Sequence, residues 1–228
     1  MEPSSAAHTL ALTAHLLLFA WWLGGDLGVF YSSGRVVDAS QPRAARLMAG
    51  RIMLALDVVP RVCMSLMLTV SALLAEAVGI PHPAWQMAAV LLLGPVWLAL
   101  VLFLHLREGS AAAPLARRLD LALRWTVIVA VVASASWALA GGRLAAHPWL
   151  AAKLYLFAFL VFCGLMIRRG LPPFIAGYAA LAAGRETPES DRAMAASLAR
   201  MRPWVLAIWA GLVASAVLGV AKPGGGFL

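Results

Sequence analysis

Charged and potentially charged side chains interrupt several long apolar segments of this sequence. Such groups are costly to bury in an apolar environment, so each marks a candidate site for a ligand, a proton or an ion pair. Imidazole can ligate a metal or relay protons, and guanidinium or ammonium groups can bind anions. The candidates are His15, Asp26, Arg51, Asp57, Arg61, His105, Asp120, Arg124 and Lys153.

The first apolar segment carries a polar stripe beside small residues. His15 and Trp22 are seven residues apart and Asp26 follows four later, so they share one face of a helix. Gly24 and Gly28 have the spacing that lets another helix or a flat ligand approach the backbone. Helix packing with interfacial aromatics is one interpretation of this pattern, and a ligand-binding imidazole is the other.

Two carboxylate–arginine pairs have a spacing of four residues, which allows pairing along one helix face. For Asp57 and Arg61, mutual neutralisation and a functional role remain equally open. For Asp120 and Arg124, nearer the end of a segment, a structural pair is favoured.

Other potential metal ligands are scattered. Cys63, Met64 and Met67 offer soft ligands for Cu(I), although core packing is the favoured role. His105 ends an apolar segment, where an interface residue is more common than an axial ligand. Cys163 is expected to be a buried free thiol. No CxxC, P-loop, GxSxG, HExxH or GxGxxG motif is present.

The composition indicates which class of protein carries these polar groups. The chain has 228 residues, is 63% hydrophobic and only 12% charged, and its apolar runs reach bilayer-spanning length. We therefore predict an all-α, polytopic membrane bundle in a single domain. The net charge is +8, but the sequence has no run of basic residues of the kind that binds nucleic acid. The predicted spans are 7–31, 47–78, 84–106, 117–140, 149–168 and 203–221.

Loop charges predict the orientation. Arginines concentrate in the loops after spans one, three and five, so these loops face the cytoplasm and both termini face outward. The expected location is a bacterial inner membrane. The 170–202 connection is predicted to be a cytoplasmic loop with a short amphipathic helix near 190–201. Pro60 and Pro95 are expected to kink their spans.

This orientation sorts the polar groups into two layers. His15, Arg61 and Lys153 are predicted to share the outer half of the membrane. The inner half is predicted to contain Asp26, Arg51, Asp57 and His105, with Arg51 or water satisfying Asp26.

Three segments together resemble a known family. His15 is followed by a helix end rich in Trp and Gly, the segment RIMLALDVVP covers 51–60, and WLAAKL covers 149–154. In this order they resemble HemJ-type protoporphyrinogen oxidases and their CopD-like relatives, over roughly residues 8–168. The chain departs from that pattern in its sixth span, and in FLVFCGLMIRR, which lacks the histidine often found near the end of the lysine helix.

The resemblance implies a helical bundle that binds heme b, with His15 as an axial ligand and Lys153 important for activity. HemJ proteins oxidise protoporphyrinogen IX and pass electrons toward the respiratory chain, whereas CopD-like relatives are associated with copper uptake. The expected small molecule is a porphyrin or a quinone-like compound. The expected partners are the lipid bilayer and a second copy of the chain in a homo-oligomer.

The leading hypothesis is therefore a heme-b membrane oxidoreductase. Its catalytic candidates are Lys153, Arg61 and Asp57, and its metal-ligand candidates are His15 and His105. The cofactor-binding candidates are His15, Trp22, Gly25, Arg51, Arg61 and Lys153. The alternatives are a copper or other metal permease and a non-enzymatic membrane assembly partner.

Overall fold

A computed structural model describes residues 3–107 and 109–224, which form seven α-helices. Within these residues, six helices are long and apolar enough to cross a membrane, in agreement with the predicted helical membrane bundle. The seventh, α6, is short. The helices are α1 (Pro3–Val36), α2 (Arg43–Ala77), α3 (Ala84–Leu106), α4 (Ala113–Ala140), α5 (Pro148–Gly170), α6 (Pro172–Ala182) and α7 (Pro188–Ala221).

The region predicted as a cytoplasmic loop, 170–202, is mostly helical. It contains α6 and the first turns of α7. The predicted amphipathic helix and the sixth predicted span form one helix, because α7 continues through Pro203. The start of α7 is fixed by a capping box, in which Thr187 and Ser190 each accept a hydrogen bond from the other's backbone N–H.

The chain divides into two compact units. The first comprises Met1–Val29 and Ile52–Asp120, and the second comprises Phe30–Arg51 and Leu121–Leu228. The first unit therefore contains most of α1 and α2, all of α3 and the start of α4. The second contains the end of α1, the start of α2, the rest of α4, and α5 to α7.

In the first unit, α1 and α2 pack in an antiparallel register. A Cβ on Gly25 would lie 2.8 Å from Pro60 Cδ, and one on Gly28 would collide with Leu56 Cδ1. Both contacts are with side chains of α2, a rigid proline ring at Gly25 and the flexible end of a leucine at Gly28. Helix α3 packs on α2 through Thr69, whose hydroxyl donates to the Val90 carbonyl at 2.6 Å.

In the second unit, α7 packs along α5 and α6. The contact again uses glycines: a Cβ on Gly211 would lie 2.8 Å from Leu160, and one on Gly170 would lie 2.8 Å from Met201. The buried Ser197 hydroxyl donates to the Gly170 carbonyl at 2.6 Å, which satisfies an acceptor at the end of α5.

Two arginines between the first two predicted spans have specific structural roles in this unit. Arg46 is only 4% exposed, donates to the Val36 carbonyl at 2.8 Å and binds both Asp191 oxygens, at 2.6 and 3.2 Å. Arg43 donates to the carbonyls of Leu181 and Ala182 at the end of α6, at 2.9 and 3.0 Å. These contacts tie the start of α2 to α6 and α7.

Candidate functional site

The His15 imidazole in the first unit has an oriented hydrogen bond to α2. Its Nδ1 lies 3.2 Å from the Ser71 hydroxyl oxygen. The Ser71 hydroxyl also lies 2.6 Å from the Met67 carbonyl, to which it donates. Both residues are half-buried, so the histidine is held at the α1–α2 contact by a neighbour on the other helix.

This geometry assigns the tautomer of the neutral ring. A hydroxyl has one proton to donate, and Ser71 directs it to Met67. The Ser71 oxygen therefore accepts from Nδ1–H of His15, which leaves the lone pair on Nε2. Metal-bound histidines in proteins are oriented in the same way, by a hydrogen bond from the other ring nitrogen.

The polar stripe continues along α1 toward Asp26. Trp22 is 3% exposed, and its indole N–H donates to the Asp26 carboxylate. The Oδ2 atom of Asp26 is buried and accepts no hydrogen bond from any described residue. The predicted stripe of His15, Trp22 and Asp26 thus includes a hydrogen bond between its last two members.

The glycines of α1 face different surroundings. Gly25 and Gly28 lie against α2, whereas a Cβ on Gly24 would meet no atom within 4 Å. The predicted small-residue pair of Gly24 and Gly28 is therefore corrected: Gly25 takes the place of Gly24 in the helix contact. Gly25 contacts Pro60, and its role as a cofactor-binding residue stays a prediction.

The predicted pairing of Asp57 with Arg61 is confirmed, because Arg61 Nη2 binds Asp57 Oδ2. Their side chains are 36% and 41% exposed, so the guanidinium keeps accessible N–H donors. In α4, Asp120 is fully buried and Arg124 is 7% exposed. Both side chains are therefore less exposed to solvent than we expect for residues near the end of a predicted span.

The remaining ligand candidates of the first unit are separate from His15. His105 is exposed in the last turn of α3. His82, in the loop between α2 and α3, binds the Glu76 carboxylate through Nδ1 at 3.0 Å and through its backbone N–H at 2.6 Å. Cys63, Met64 and Met67 are all buried on α2. No cluster of three or more His, Cys, Asp or Glu side chains suited to a metal occurs among the residues the structure describes.

The second unit contains the other two predicted cationic site residues. Lys153 is half-buried on α5, with its ammonium nitrogen 3.0 Å from the position that a Gly219 Cβ would occupy on α7. Nearby in the sequence, Ser136 and Tyr155 join α4 to α5 by a hydroxyl–hydroxyl hydrogen bond of 2.8 Å. Arg51 is exposed on α2.

Sequence reasoning missed Ser71 and Asp191. A signal existed for Ser71, since His15 and Ser71 lie a similar number of residues from the same end of their predicted antiparallel spans. Asp191 is an acidic residue in a polar segment, and no local pattern indicates its partner, which lies 145 positions away.

The fold and these polar contacts define a multi-helix membrane protein with an oriented histidine between its first two helices. No protein-family model matches the chain, and comparison with curated proteins and with solved structures found no match.

Proposed function

We propose that this chain binds heme b through His15 and transfers electrons in the membrane. The observation that supports the proposal is the hydrogen bond between His15 Nδ1 and the Ser71 hydroxyl, which orients the imidazole, and Nε2 is the ring nitrogen that would ligate iron. When bound, heme supplies the redox chemistry, and the protein sets its ligand, access and electrostatic surroundings.

The donor set fits one axial ligand from the protein. His82 is held by Glu76 in the α2–α3 loop, and His105 lies at the far end of α3 from that loop. The Nδ1 atom of His82 is also hydrogen-bonded, but His82 lies in a loop, whereas His15 lies within an apolar helix. We therefore propose His15 as the protein ligand of the iron, with His105 the weaker candidate.

Cationic residues would bind the heme or substrate propionates. Arg61 keeps accessible N–H donors beside Asp57, and charge-assisted bonds from guanidinium to carboxylate are strong. Trp22 and Gly25 would shape the α1 side of the site, and the roles of Lys153 and Arg51, which belong to the second unit, stay predictions from the sequence. Asp57 would keep Arg61 oriented.

The proposed substrate follows from the resemblance to HemJ-type proteins. Such a protein would oxidise protoporphyrinogen IX or pass electrons to a respiratory acceptor such as a quinone. The proposed setting is a bacterial inner membrane with both termini outside, because arginines concentrate in alternate loops.

The test is an absorption spectrum of the purified chain, expressed with added heme precursor. We expect a Soret band and a reduced-minus-oxidised difference spectrum in the wild type and in His105→Ala, and loss of both in His15→Ala. Ser71→Ala should weaken heme retention by about 10–100-fold, as for other residues that orient a ligand.

A wild-type preparation that folds but shows no Soret band would refute the heme proposal. Metal analysis of the same samples addresses the copper-permease alternative. One copper per chain without heme, lost when Met64 and Met67 are replaced by Leu, would favour that alternative. Unchanged function in His15→Ala and Lys153→Ala would favour a membrane assembly partner.

A further inference from the structure

The Asp26 carboxylate lies at the contact between α1 and α2, inside an apolar helix. Asp26 lies on α1 one residue after Gly25, at the point where α1 contacts Pro60 of α2. Its carboxylate accepts from Trp22, while Oδ2 is buried and receives no hydrogen bond from the described residues. A carboxylate oxygen without a donor in an apolar setting is unfavourable.

The charges around Asp26 do not balance. On α2, the charged neighbour is Asp57, and the guanidinium that could offset it, Arg61, is bound to Asp57. Cys63 on the same helix is a neutral buried thiol near Asp26. With both carboxylates ionised, the three groups Asp26, Asp57 and Arg61 carry a net charge of −1.

A single proton removes this imbalance. Asp57 and Arg61 form a neutral pair, so the remaining charge belongs to Asp26. Adding H⁺ to the Asp26 carboxylate gives a neutral carboxylic acid and a neutral group of three. The O–H formed is itself a donor, which changes the hydrogen-bonding capacity of Oδ2.

We propose that Asp26 is a reversible proton-binding site at the α1–α2 contact, which takes up and releases one proton within the apolar segment. The ligand is the proton itself, and Asp57 and Arg61 set the charge that the site must balance. The proposal concerns Asp26, which lies eleven residues along α1 from His15, and its test measures a carboxylic-acid band whose observation needs no heme.

Infrared spectroscopy tests the proposal directly. We expect the wild-type protein in lipid to show a carboxylic-acid C=O stretching band that shifts in D₂O and disappears reversibly as pH is raised. The band should be lost in Asp26→Asn. It should persist in Asp38→Asn, a matched control, because Asp38 lies in the α1–α2 loop and accepts hydrogen bonds from Ser40.

A second variant covers the case in which Asp26→Asn does not fold. Asp26→Glu keeps a carboxyl group at the site, and its band should be present but displaced in frequency. The proposal is overturned if wild type and Asp26→Asn have the same carboxylic-acid band at every pH. It is equally overturned if neither the wild type nor Asp26→Glu shows such a band between acidic and alkaline pH.

Discussion

The adjacent glycines of α1 offer the sharpest test of the α1–α2 packing. A methyl group on Gly25 would lie 2.8 Å from Pro60 Cδ and 3.3 Å from Val59 Cβ, well inside the 3.5–4.0 Å favoured by carbon pairs. The proline ring is rigid, so the helices must separate slightly. A methyl group on Gly24 would meet nothing within 4 Å.

The expected magnitudes follow from two opposing effects. Replacing a helical glycine with alanine stabilises by about 0.5–1 kcal/mol, whereas overpacking a tight contact costs about 1–3 kcal/mol. Gly24→Ala should therefore stabilise the protein by about 0.5–1 kcal/mol. Gly25→Ala should range from nearly neutral to a loss of about 2 kcal/mol, so the two variants should differ by about 1–3 kcal/mol.

The assay is reversible unfolding in mixed detergent micelles, followed by far-UV circular dichroism. A double-mutant cycle with Pro60→Ala adds a second readout, since removing the ring should relieve the clash of Gly25→Ala and make the two changes non-additive. Equal unfolding free energies for Gly24→Ala and Gly25→Ala, with additive behaviour in the cycle, would show that α1 and α2 do not make this contact.

Three further predictions concern other contacts. Asp191→Ala should destabilise the second unit by about 3–5 kcal/mol, because it leaves the buried Arg46 guanidinium without its carboxylate. Asp191→Asn should lower the free energy of unfolding by less in the same assay. Equal losses in the two variants would contradict the ion-pair account. Ser71→Ala should broaden the ¹⁵N signals of His15 by allowing both neutral tautomers, and an unchanged single tautomer would exclude Ser71 as its orienting partner. Hydrogen bonds from the hydroxyl and backbone N–H of Ser40 lower the pKa of Asp38, so its stabilisation of the α1–α2 loop is present above the ordinary value of about 3.9 and is lost as pH falls through the lower folded value. Protection of the Ser40 amide against hydrogen exchange, relative to its intrinsic rate, should fall over that range in wild type and should not change with pH in Asp38→Asn.

Much of the fold follows from the sequence, because the length of each apolar segment determines where a membrane-spanning helix can form. Each of the six predicted spans corresponds to a long helix, since about 20 apolar residues with internally satisfied backbone groups form a helix in a bilayer. The sequence does not predict the continuous α7, because the apolar run begins at Pro203, directly after a polar stretch. Its helix tolerates the proline by losing one backbone hydrogen bond.

The candidate site was predictable only in part. Pairing of Asp57 and Arg61 is local, so spacing along one helix was sufficient. The partners of His15 and Arg46 lie on other helices, 56 and 145 positions away, and their identification requires the register between helices. The sequence likewise does not show whether Gly24 or Gly25 contacts α2, because the answer depends on how α1 is rotated about its own axis.

The register between α1 and α2 links the two proposed sites. His15 meets Ser71, Gly25 meets Pro60 and Gly28 meets Leu56, so a step forward on α1 matches a similar step backward on α2. At about 1.5 Å per residue, these contacts cover roughly 20 Å, about two thirds of the apolar thickness of a bilayer.

One continuous helix contact therefore fixes both the imidazole and the carboxyl group, about 16 Å apart along α1. This separation exceeds the reach of a direct hydrogen bond, so each site can be removed without removing the other. His15→Ala should abolish a heme spectrum while leaving the Asp26 infrared band, and Asp26→Asn should do the reverse. Loss of both signals from either single change would instead mean that the α1–α2 contact itself had failed, which the unfolding assay would detect independently.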